Sequence, residues 1–270
     1  MTFEWREKVV LITGASNGIG AEVVKILIDV ENVKHVSILD IEDPFTEQKI
    51  LSTAHNKNKV KHIKCDVTDD TQLFDGYKDV IDRYGCIDVV INNAGFMNDS
   101  LDKYKKEIEL NVTALCTSSL KAIEVMRKDE GGQGGTIINI SSICALIQHP
   151  LMPIYFGTKS AVLHFSNCIG LEHYYYRTGV RVITMCYGGT NTGLISAGSL
   201  ASFDKFTNDN LMDILKEFQI QSPKSAAVGL IEAYKKGKSG STWLAVKDKP
   251  VRDITENVTK AYEILSEGAI

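Results

Sequence analysis

Tyr155 and Lys159 stand four residues apart, and Ser142 lies a short loop before them. On a helix, this spacing puts the phenol and the ammonium on one face, about one turn apart. A free tyrosine has a pKa of about 10 and is a poor base near neutral pH, whereas a nearby positive charge favours the phenolate. The pattern therefore predicts an acid/base pair, although a tyrosine and a lysine at this spacing also occur on many helices by chance.

A glycine-rich turn, residues 14–20, lies between an apolar run at 8–13 and a segment with helical periodicity at 21–28. The run suits a strand that is buried on both faces of a parallel sheet. In this order of strand, turn and helix, glycines let the backbone approach a pyrophosphate, and the amides that begin the helix attract its charge. A glycine cluster alone would also fit an ordinary tight turn. The predicted cofactor contacts of the turn are Gly14, Asn17, Gly18, Ile19 and Gly20.

A second strand at 36–40 ends in Asp40, about twenty residues past the glycine turn. At this place a carboxylate can accept hydrogen bonds from the ribose hydroxyls of adenosine, whereas a helix cap or a loop acid is the alternative. Glu42 lies close by, and neither Asn17 nor Ile41 supplies a cation for a 2'-phosphate. The sequence therefore predicts NAD as the cofactor, held by Asp40 and the neighbouring Ile41.

Further strands are predicted where apolar runs alternate with helical segments, at 60–67, 87–95, 136–142, 179–186 and 241–246. Two of the predicted helices are long: one covers residues 101–128, and the other contains Tyr155 and Lys159 and continues to about residue 178. This alternation is typical of an α/β fold with a doubly wound, mostly parallel sheet. Because ligands bind beyond the carboxyl ends of such strands, the glycine turn, Asp40, Asp66 and Asn93 should share one crevice. No repeat or linker divides residues 1–270, which predicts a single domain, and the looser segment 193–218 is expected to form a mobile substrate lid.

Composition excludes several classes of function. The net charge of -4 and the sequence pI of 5.9 give no basic patch, so a nucleic-acid partner is not expected. No apolar run of about 18 residues or signal-peptide core occurs, which predicts a cytoplasmic protein without a membrane span. The six cysteines include no CxxC, and the six histidines form no close ligand pattern. We therefore expect reduced thiols and no metal site.

Several motifs in one order resemble the classical short-chain dehydrogenase/reductase family. They are Thr13-Gly14-xxx-Gly18-x-Gly20, Asn92-Asn93-Ala94-Gly95, Asn111, Ser142 and Tyr155-xxx-Lys159. Within the family, residues 65–67, 131–142 and 191–192 look most similar to insect-type alcohol dehydrogenases and 15-hydroxyprostaglandin dehydrogenases. The resemblance implies a Rossmann-type fold and NAD-linked interconversion of a secondary alcohol and a ketone.

The same resemblance implies a role for individual residues. Tyr155 would be the acid/base, Ser142 would hold the substrate oxygen, and Asn111 would position a water in a proton relay. Lys159 would lower the pKa of Tyr155 and bind the nicotinamide ribose. Asp66 and Val67 would flank the adenine, and the nicotinamide half would lie along Asn93, Ala94, Gly95, Thr190, Asn191 and Thr192. The family also implies a homodimer or homotetramer formed through two long helices.

The chain departs from the family pattern at two places. Tyr187 precedes Gly188 where a proline is usual, which puts the rigidity of that turn in doubt. Leu151 and Met152 stand where the prostaglandin-oxidising relatives carry glutamines. We therefore expect an apolar substrate, such as a terpenoid, retinoid-like or steroid-like compound, rather than a hydroxyprostaglandin-like hydroxy fatty acid or a small secondary alcohol.

Two other functions are weighed against this one. A catalytically idle NAD-binding scaffold or sensor would have no chemical need for Asn111, Ser142, Tyr155 and Lys159 together. A nucleotide-sugar epimerase is disfavoured by the GxxxGxG spacing and by a chain too short for a large second lobe.

Overall fold

The computed structural model describes residues 2–46, 49, 51, 55–196, 199–216 and 218–269. Its strands are β1 (Val9–Thr13), β2 (His35–Asp40), β3 (Val60–Lys64), β4 (Val89–Asn92), β5 (Gly135–Ser142), β6 (Val180–Tyr187), β7 (Ser241–Ala245) and β8 (Arg252–Asp253). Over these residues they form one sheet in the order β3-β2-β1-β4-β5-β6-β7-β8. β1 to β7 are parallel, and β8 pairs antiparallel with β7. The predicted doubly wound, mostly parallel sheet is confirmed.

The helices cover both faces of this sheet. They are α1 (Gly18–Asp29), α2 (Asp70–Tyr84), α3 (Tyr104–Ile108), α4 (Leu115–Met126), α5 (Pro153–Ile169), α6 (Glu172–Thr178), α7 (Lys205–Leu215), α8 (Pro223–Lys236) and α9 (Thr255–Leu265). In β1, Val10 and Ile12 join the core against α1 and α8, whereas Val9 and Leu11 join the core against α2 and α4. Because successive side chains point to opposite faces, a strand between two helical layers must be apolar throughout.

Local sequence sets the limits of several helices. Asp69 accepts hydrogen bonds from the backbone amides that begin α2, and Gly85, with φ of 79°, ends that helix. Pro153 starts α5 in the first turn, where the missing amide hydrogen costs nothing. The helix ends at Gly170, where an added Cβ would lie 2.7 Å from the Cα of Gly240. The predicted continuation of this helix to residue 178 is therefore wrong, and a separate α6 follows.

The long helix predicted from 101 to 128 is also divided. α3 and α4 are joined by a π-helical segment, Glu109–Ala114, that contains Asn111. The Asn111 amide bonds to both the N–H and the C=O of Phe96, at 2.8 and 2.7 Å. Segments of this kind insert one extra residue into a helix and recur at functional sites.

The predicted lid, residues 193–218, contains a short 3-10 turn, Gly193–Ile195, and α7. Residues 197, 198 and 217 of the lid lie outside the described residues. The mobility of the lid and the single-domain organisation stay predictions. The strand β8 was not predicted, because two exposed residues carry no periodic signal.

Some features are absent from the part of the chain that the structure describes. There, no helix is long and apolar enough to cross a membrane. The same residues include no group of three or more His, Cys, Asp or Glu side chains that could hold a metal ion. All six cysteines are free thiols, of which Cys65 and Cys186 are buried and Cys168 is exposed.

Candidate active site

A cavity of about 880 Å³ opens beyond the carboxyl ends of the parallel strands. This volume lies at the upper end of the range of about 300–1,000 Å³ for small-molecule and cofactor sites. The predicted residues that line it are Gly14, Asn17, Gly18, Ile19, Asp40, Ile41, Asp66, Val67, Asn93, Ala94, Gly95, Ser142, Tyr155, Lys159, Thr190 and Thr192. Gly20, Asn111 and Asn191 were predicted with them but do not line the cavity.

The glycine turn is held against the end of β4. Gly14 has φ of 64°, and an added Cβ would lie 2.6 Å from the Cα of Ala94. The Asn93 side chain donates to the carbonyl oxygens of Thr13 (3.0 Å) and Gly14 (2.7 Å). The Thr13 hydroxyl in turn accepts hydrogen bonds from the amides of Asn93 and Ala94. The side-chain amide of Asn93 therefore holds the glycine turn in place. The predicted contact between Asn93 and the cofactor would have to come from the other atoms of the residue.

The N-terminus of α1 meets the requirements of an anion site. In residues 17–29, all of them described, no side chain caps this end, and the first turn contains no acid. The first turn, whose Gly18 and Ile19 line the cavity, therefore has amides without a side-chain acceptor, and the helix dipole adds to their attraction for negative charge. Gly18 has φ of 57°, and a Cβ there would lie 3.2 Å from Cγ2 of Thr192, so the glycine keeps this end open. These features fit a pyrophosphate.

Asp40 lies at the end of β2 and faces the same cavity. One carboxylate oxygen accepts from the amide of Ser16 at 2.8 Å, and the other accepts from the amide of Glu42 at 3.0 Å. Each oxygen keeps a second lone pair, so the carboxylate can still accept a hydroxyl hydrogen. The sequence did not reveal Lys49 here: its ammonium lies 2.9 Å from Glu42, and this contact lowers the pKa of the Glu42 carboxyl.

Tyr155, Ser142 and Lys159 meet where β5 ends and α5 begins. Tyr155 and Lys159 are almost fully buried, at 6% and 5% exposure, and the ammonium lies 5.6 Å from the centre of the phenol ring. Lys159 Nζ donates to the carbonyl of Ile140 at 3.1 Å. The Ser142 hydroxyl donates to the carbonyl of Tyr187 at 3.3 Å, accepts from the amide of Cys144 at 3.1 Å, and lines the same cavity as the phenol. The structure therefore brings the predicted acid/base group, its hydroxyl partner and its cation together.

Burial controls the protonation of this group. Desolvation raises the pKa of Tyr155 above its ordinary value of 10, and Cys144 and Glu107 add to the rise, whereas the Ser142 hydrogen bond opposes it. Desolvation also lowers the pKa of Lys159 to about 8. The lowering of the Tyr155 pKa by Lys159 that the family resemblance implies stays a prediction, since burial has the largest influence on this pKa. At neutral pH the phenol is protonated and can donate a proton.

Asn111 lies beside this group but outside the cavity wall. It is 1% exposed, and its amide bonds to Phe96 and also to the Thr158 hydroxyl at 3.2 Å. A Cβ on Gly95 would lie 3.5 Å from Oδ1 of Asn111 and 3.7 Å from Nζ of Lys159, so both polar groups flank that glycine. The side chain therefore fixes the loop after β4, and its predicted role in holding a water stays a prediction.

The loop after β6 is anchored from the other side by Gln221. The Thr190 hydroxyl donates to Gly188 O at 2.9 Å and accepts from the Gln221 amide at 3.1 Å, and the Asn191 backbone amide donates to Gln221 O. Tyr187 replaces the usual proline here; its ring is buried, and its hydroxyl has no hydrogen-bond partner among the described residues. Asn191 is exposed and does not line the cavity.

Much of the remaining cavity wall is apolar, although Lys106 and Lys216 also line it. It includes Met97, Leu151, Phe156, Leu194, Ile195, Met212, Leu215 and Phe218, contributed by the loop after β4, the start of α5 and the predicted lid. Leu151 therefore lies where the sequence predicted it. Met152 does not: it is 0% exposed, belongs to the packed cluster behind the wall and does not line the cavity.

Two buried acids near Tyr155 were not predicted. Glu107 and Asp99 are both 0% exposed, and they interact with each other. Glu107 stands four residues before Asn111, so helical spacing could have placed these two polar side chains on one face. Nothing in the sequence around Asp99 indicates burial, because its environment is made by the distant α5.

Known proteins with similar sequences include dehydrogenases. A family model described as short chain dehydrogenase matches residues 8–199. The chain is 31% identical over 234 residues to the 15-hydroxyprostaglandin dehydrogenase of Homo sapiens, whose name specifies NAD(+); the match covers 83% of this chain and 85% of that protein. It is 32% identical over 241 residues to alcohol dehydrogenase 1 of Ceratitis cosyra, covering 88% of this chain and 91% of that one.

A solved structure agrees with the fold. The short-chain type dehydrogenase/reductase from Mycobacterium marinum superposes with a TM-score of 0.74 at 22% identity, covering 91% of this chain and 96% of that chain. The family model and both relatives are consistent with the geometry of the site. The chain belongs to the short chain dehydrogenase family and is an oxidoreductase that acts on CH–OH groups.

Proposed function

We propose that this enzyme uses NAD to interconvert an apolar secondary alcohol and its ketone, with Tyr155 as the acid/base group. The observation that carries the proposal is that the buried phenol, the Ser142 hydroxyl and Lys159 line the same cavity as Asp40 and the glycine turn. NAD is supported by the carboxylate of Asp40, which would repel a 2'-phosphate, and by the name of the human relative.

The residues of the cavity suit each part of this cofactor. The amides at the start of α1 would hold the pyrophosphate, and Asp40 the adenosine ribose. Asp66 and Val67 would flank the adenine, with the segments 93–95 and 190–192 along the nicotinamide half. When bound, a nicotinamide supplies hydride transfer to or from the carbinol carbon.

The protein's own part in the reaction is to hold the substrate oxygen and move its proton. Ser142 and Tyr155 would both hydrogen-bond that oxygen. With a ketone, the protonated phenol donates its hydrogen as the oxygen gains charge; with an alcohol, a phenolate accepts the hydroxyl hydrogen. The Lys159 ammonium favours the phenolate, because an opposite charge stabilises the ionised form. Asn111 is a positioning residue in this proposal, since its amide fixes the adjoining loop.

The largely apolar wall supports an apolar substrate, and the lysines that also line the cavity, Lys106 and Lys216, leave a substrate with an acidic group as the alternative. Leu151 lies in the wall in place of a glutamine, and the lid adds Leu194 and Met212. A terpenoid, retinoid-like or steroid-like compound fits this surface. A hydroxyprostaglandin-like hydroxy fatty acid or a small secondary alcohol is the alternative substrate. We further propose a single catalytic domain that works in the cytoplasm as a homodimer or homotetramer, which sedimentation would test.

The test is Tyr155→Phe, assayed with a panel of secondary alcohols and ketones through the absorbance of NADH. We expect turnover to fall by at least about 100-fold, because the proton transfer is lost, while NADH still binds. Tyr176→Phe, which makes the same change at an exposed site on α6, should leave turnover unchanged. Comparable turnover in Tyr155→Phe would refute the assigned base. A wild-type chain that binds NADH but turns over no compound would instead indicate the idle scaffold.

A further inference from the structure

Two carboxyl groups are buried beside α5, the helix that carries Tyr155 and Lys159. Glu107 lies on α3 and Asp99 in the loop between β4 and α3, and neither is exposed to solvent. They are close enough to share a hydrogen bond. Neither residue lines the cavity, so the pair is not part of the site described above. A pair of acids in this position needs an explanation, because two adjacent buried charges would repel each other.

Asp99 is committed to the first turn of α5. One of its oxygens accepts from the amide of Ile154 at 2.8 Å, and the other accepts from the amide of Tyr155 at 3.0 Å. The residue at the N-cap position, Met152, makes no side-chain cap of its own. Asp99 therefore caps this helix from a distant loop, and the positive end of the helix dipole favours the ionised form of Asp99.

Glu107 is only half satisfied as a carboxylate. Its Oε1 accepts from the amide of Asn98 at 3.2 Å, whereas its Oε2 has no hydrogen-bond partner among the described residues. A hydrogen on Oε2 would remove both the repulsion between two buried charges and the lack of a partner for this oxygen. It makes Glu107 neutral and turns Oε2 into a hydrogen-bond donor to Asp99. In agreement, burial and the nearby Asp99 raise the pKa of Glu107 to about 8.

The same loop is tied to the predicted lid. The amide of Asp99 donates to the carbonyl of Ala201 at 2.8 Å, and the Asn98 side chain donates to the carbonyl of Ser199 at 2.8 Å. Glu107 thus supports a loop that contacts the lid on one side and the turn with Tyr155 on the other.

We propose that Glu107 is a positioning residue for Tyr155, which as a neutral acid donates a hydrogen bond to Asp99 and so fixes the first turn of α5 and the adjoining lid. This inference rests on the proposed function, because it assigns a support to the acid/base group. Glu107 faces the titratable groups Asp99, from its loop, and Tyr155 and Lys159, from α5. Its ionisation would break the donor hydrogen bond and place a second negative charge beside Asp99.

The experiment compares Glu107→Gln, Glu107→Ala and the control Glu109→Gln, which changes an exposed acid two residues away. Gln keeps both hydrogen bonds and cannot ionise, so kcat at pH 7 should stay within about threefold of wild type. Ala removes the donor and should lower kcat about tenfold, with little change in KM for NAD, since one net hydrogen bond corresponds to that factor.

The second readout is the unfolding temperature as a function of pH. In the folded chain Glu107 keeps its proton up to about pH 8, whereas in the unfolded chain it loses it near 4.5. The folded state binds the extra proton between these values, so its stabilising effect falls as the pH rises through this window. The unfolding temperature of wild type minus that of Glu107→Gln should therefore decrease between pH 5 and 8, and Glu109→Gln should show no such decrease.

The outcomes separate the two proposals. A pH-independent difference between wild type and Glu107→Gln would overturn the protonated Glu107, whether or not the enzyme is active. Wild-type kcat in Glu107→Ala would overturn its positioning role. A tenfold loss of kcat in Glu107→Gln would overturn the neutral donor, because Gln keeps both hydrogen bonds, and this readout remains if Glu107→Ala does not fold. Turnover by Tyr155→Phe would overturn the proposed function and the positioning role that rests on it, but not the protonated Glu107, because the unfolding measurement does not depend on activity.

Discussion

The buried hydroxyl of Tyr187 should destabilise the fold, and Tyr187→Phe should therefore raise stability. The ring packs into the core against α1 and α8, and it is 5% exposed. Its hydroxyl has no hydrogen-bond partner among the described residues. Replacement by phenylalanine keeps the ring and its packing, so the only change is the loss of an unpaired polar atom from an apolar setting.

The size of the effect follows from the desolvation of one hydroxyl group. An unsatisfied buried polar group costs about 1–3 kcal/mol. The entropy of unfolding is about 2.1 cal/mol/K per residue, or about 0.6 kcal/mol/K for a chain of 270 residues. The unfolding temperature of Tyr187→Phe should therefore rise by about 2–5 °C.

Calorimetry or urea unfolding would measure the change, with Tyr77→Phe as the matched control. Tyr77 is also buried, but its hydroxyl donates to the carbonyl of Ser118 at 2.8 Å, so the same substitution there should lower stability by about 1 kcal/mol. Opposite signs at the two tyrosines would support the assignment. Equal or lower stability of Tyr187→Phe would refute it and would show that the hydroxyl has a partner. A large rise in KM for NAD in that variant would identify the cofactor as that partner.

Two further substitutions test the cofactor site. Asp40→Ser should lower kcat/KM with NAD by about ten- to hundredfold, because it removes a hydrogen bond to a charged group. The same change should reduce the preference for NAD over NADP. Faster turnover of wild type with NADP than with NAD would contradict the assignment of NAD as the cofactor. Gly20→Ala should cost about 1–3 kcal/mol in urea unfolding, because its Cβ would lie 2.8 Å from the Cα of Ala15 and 2.9 Å from the carbonyl oxygen of Gly14. By contrast, alanine at Gly157, an exposed helical position with open space around it, should be neutral or stabilising.

The sequence predicted the sheet well because strands buried on both faces carry an uninterrupted apolar signal. β1 and β6 are buried at every position, and both were found within one residue of their observed limits. The helix boundaries were harder to predict, because they depend on distant contacts. The break at Gly170 reflects its close approach to Gly240, and the π-helical segment reflects the bond between Asn111 and Phe96. Neither contact can be read from local propensity.

In the site, likewise, the positions of residues were easier to predict than their contacts. Residues at strand ends, such as Asp40 and Ser142, were placed in the cavity because the carboxyl edge of a parallel sheet collects them. What each side chain does there was less predictable. The Asn93 amide serves the glycine turn, and Glu107 gains its importance from a partner eight residues earlier and from the burial of both. Hydrogen-bond partners and desolvation are properties of the fold rather than of a motif.

Burial links the titratable groups around the substrate oxygen. The pKa values of Lys159 and Glu107 both lie at about 8, so a rise of pH through that value removes a positive charge and adds a negative one near Tyr155. Both changes disfavour the phenolate, so Tyr155 does not become a better base simply because the pH is higher. A phenolate is best supported where Lys159 is still charged and Glu107 still neutral, which holds below about pH 8. In Glu107→Gln the residue at 107 cannot ionise, so the pH profile of kcat should show only the loss of charge on Lys159. A profile identical to that of wild type would show that the ionisation of Glu107 does not affect Tyr155.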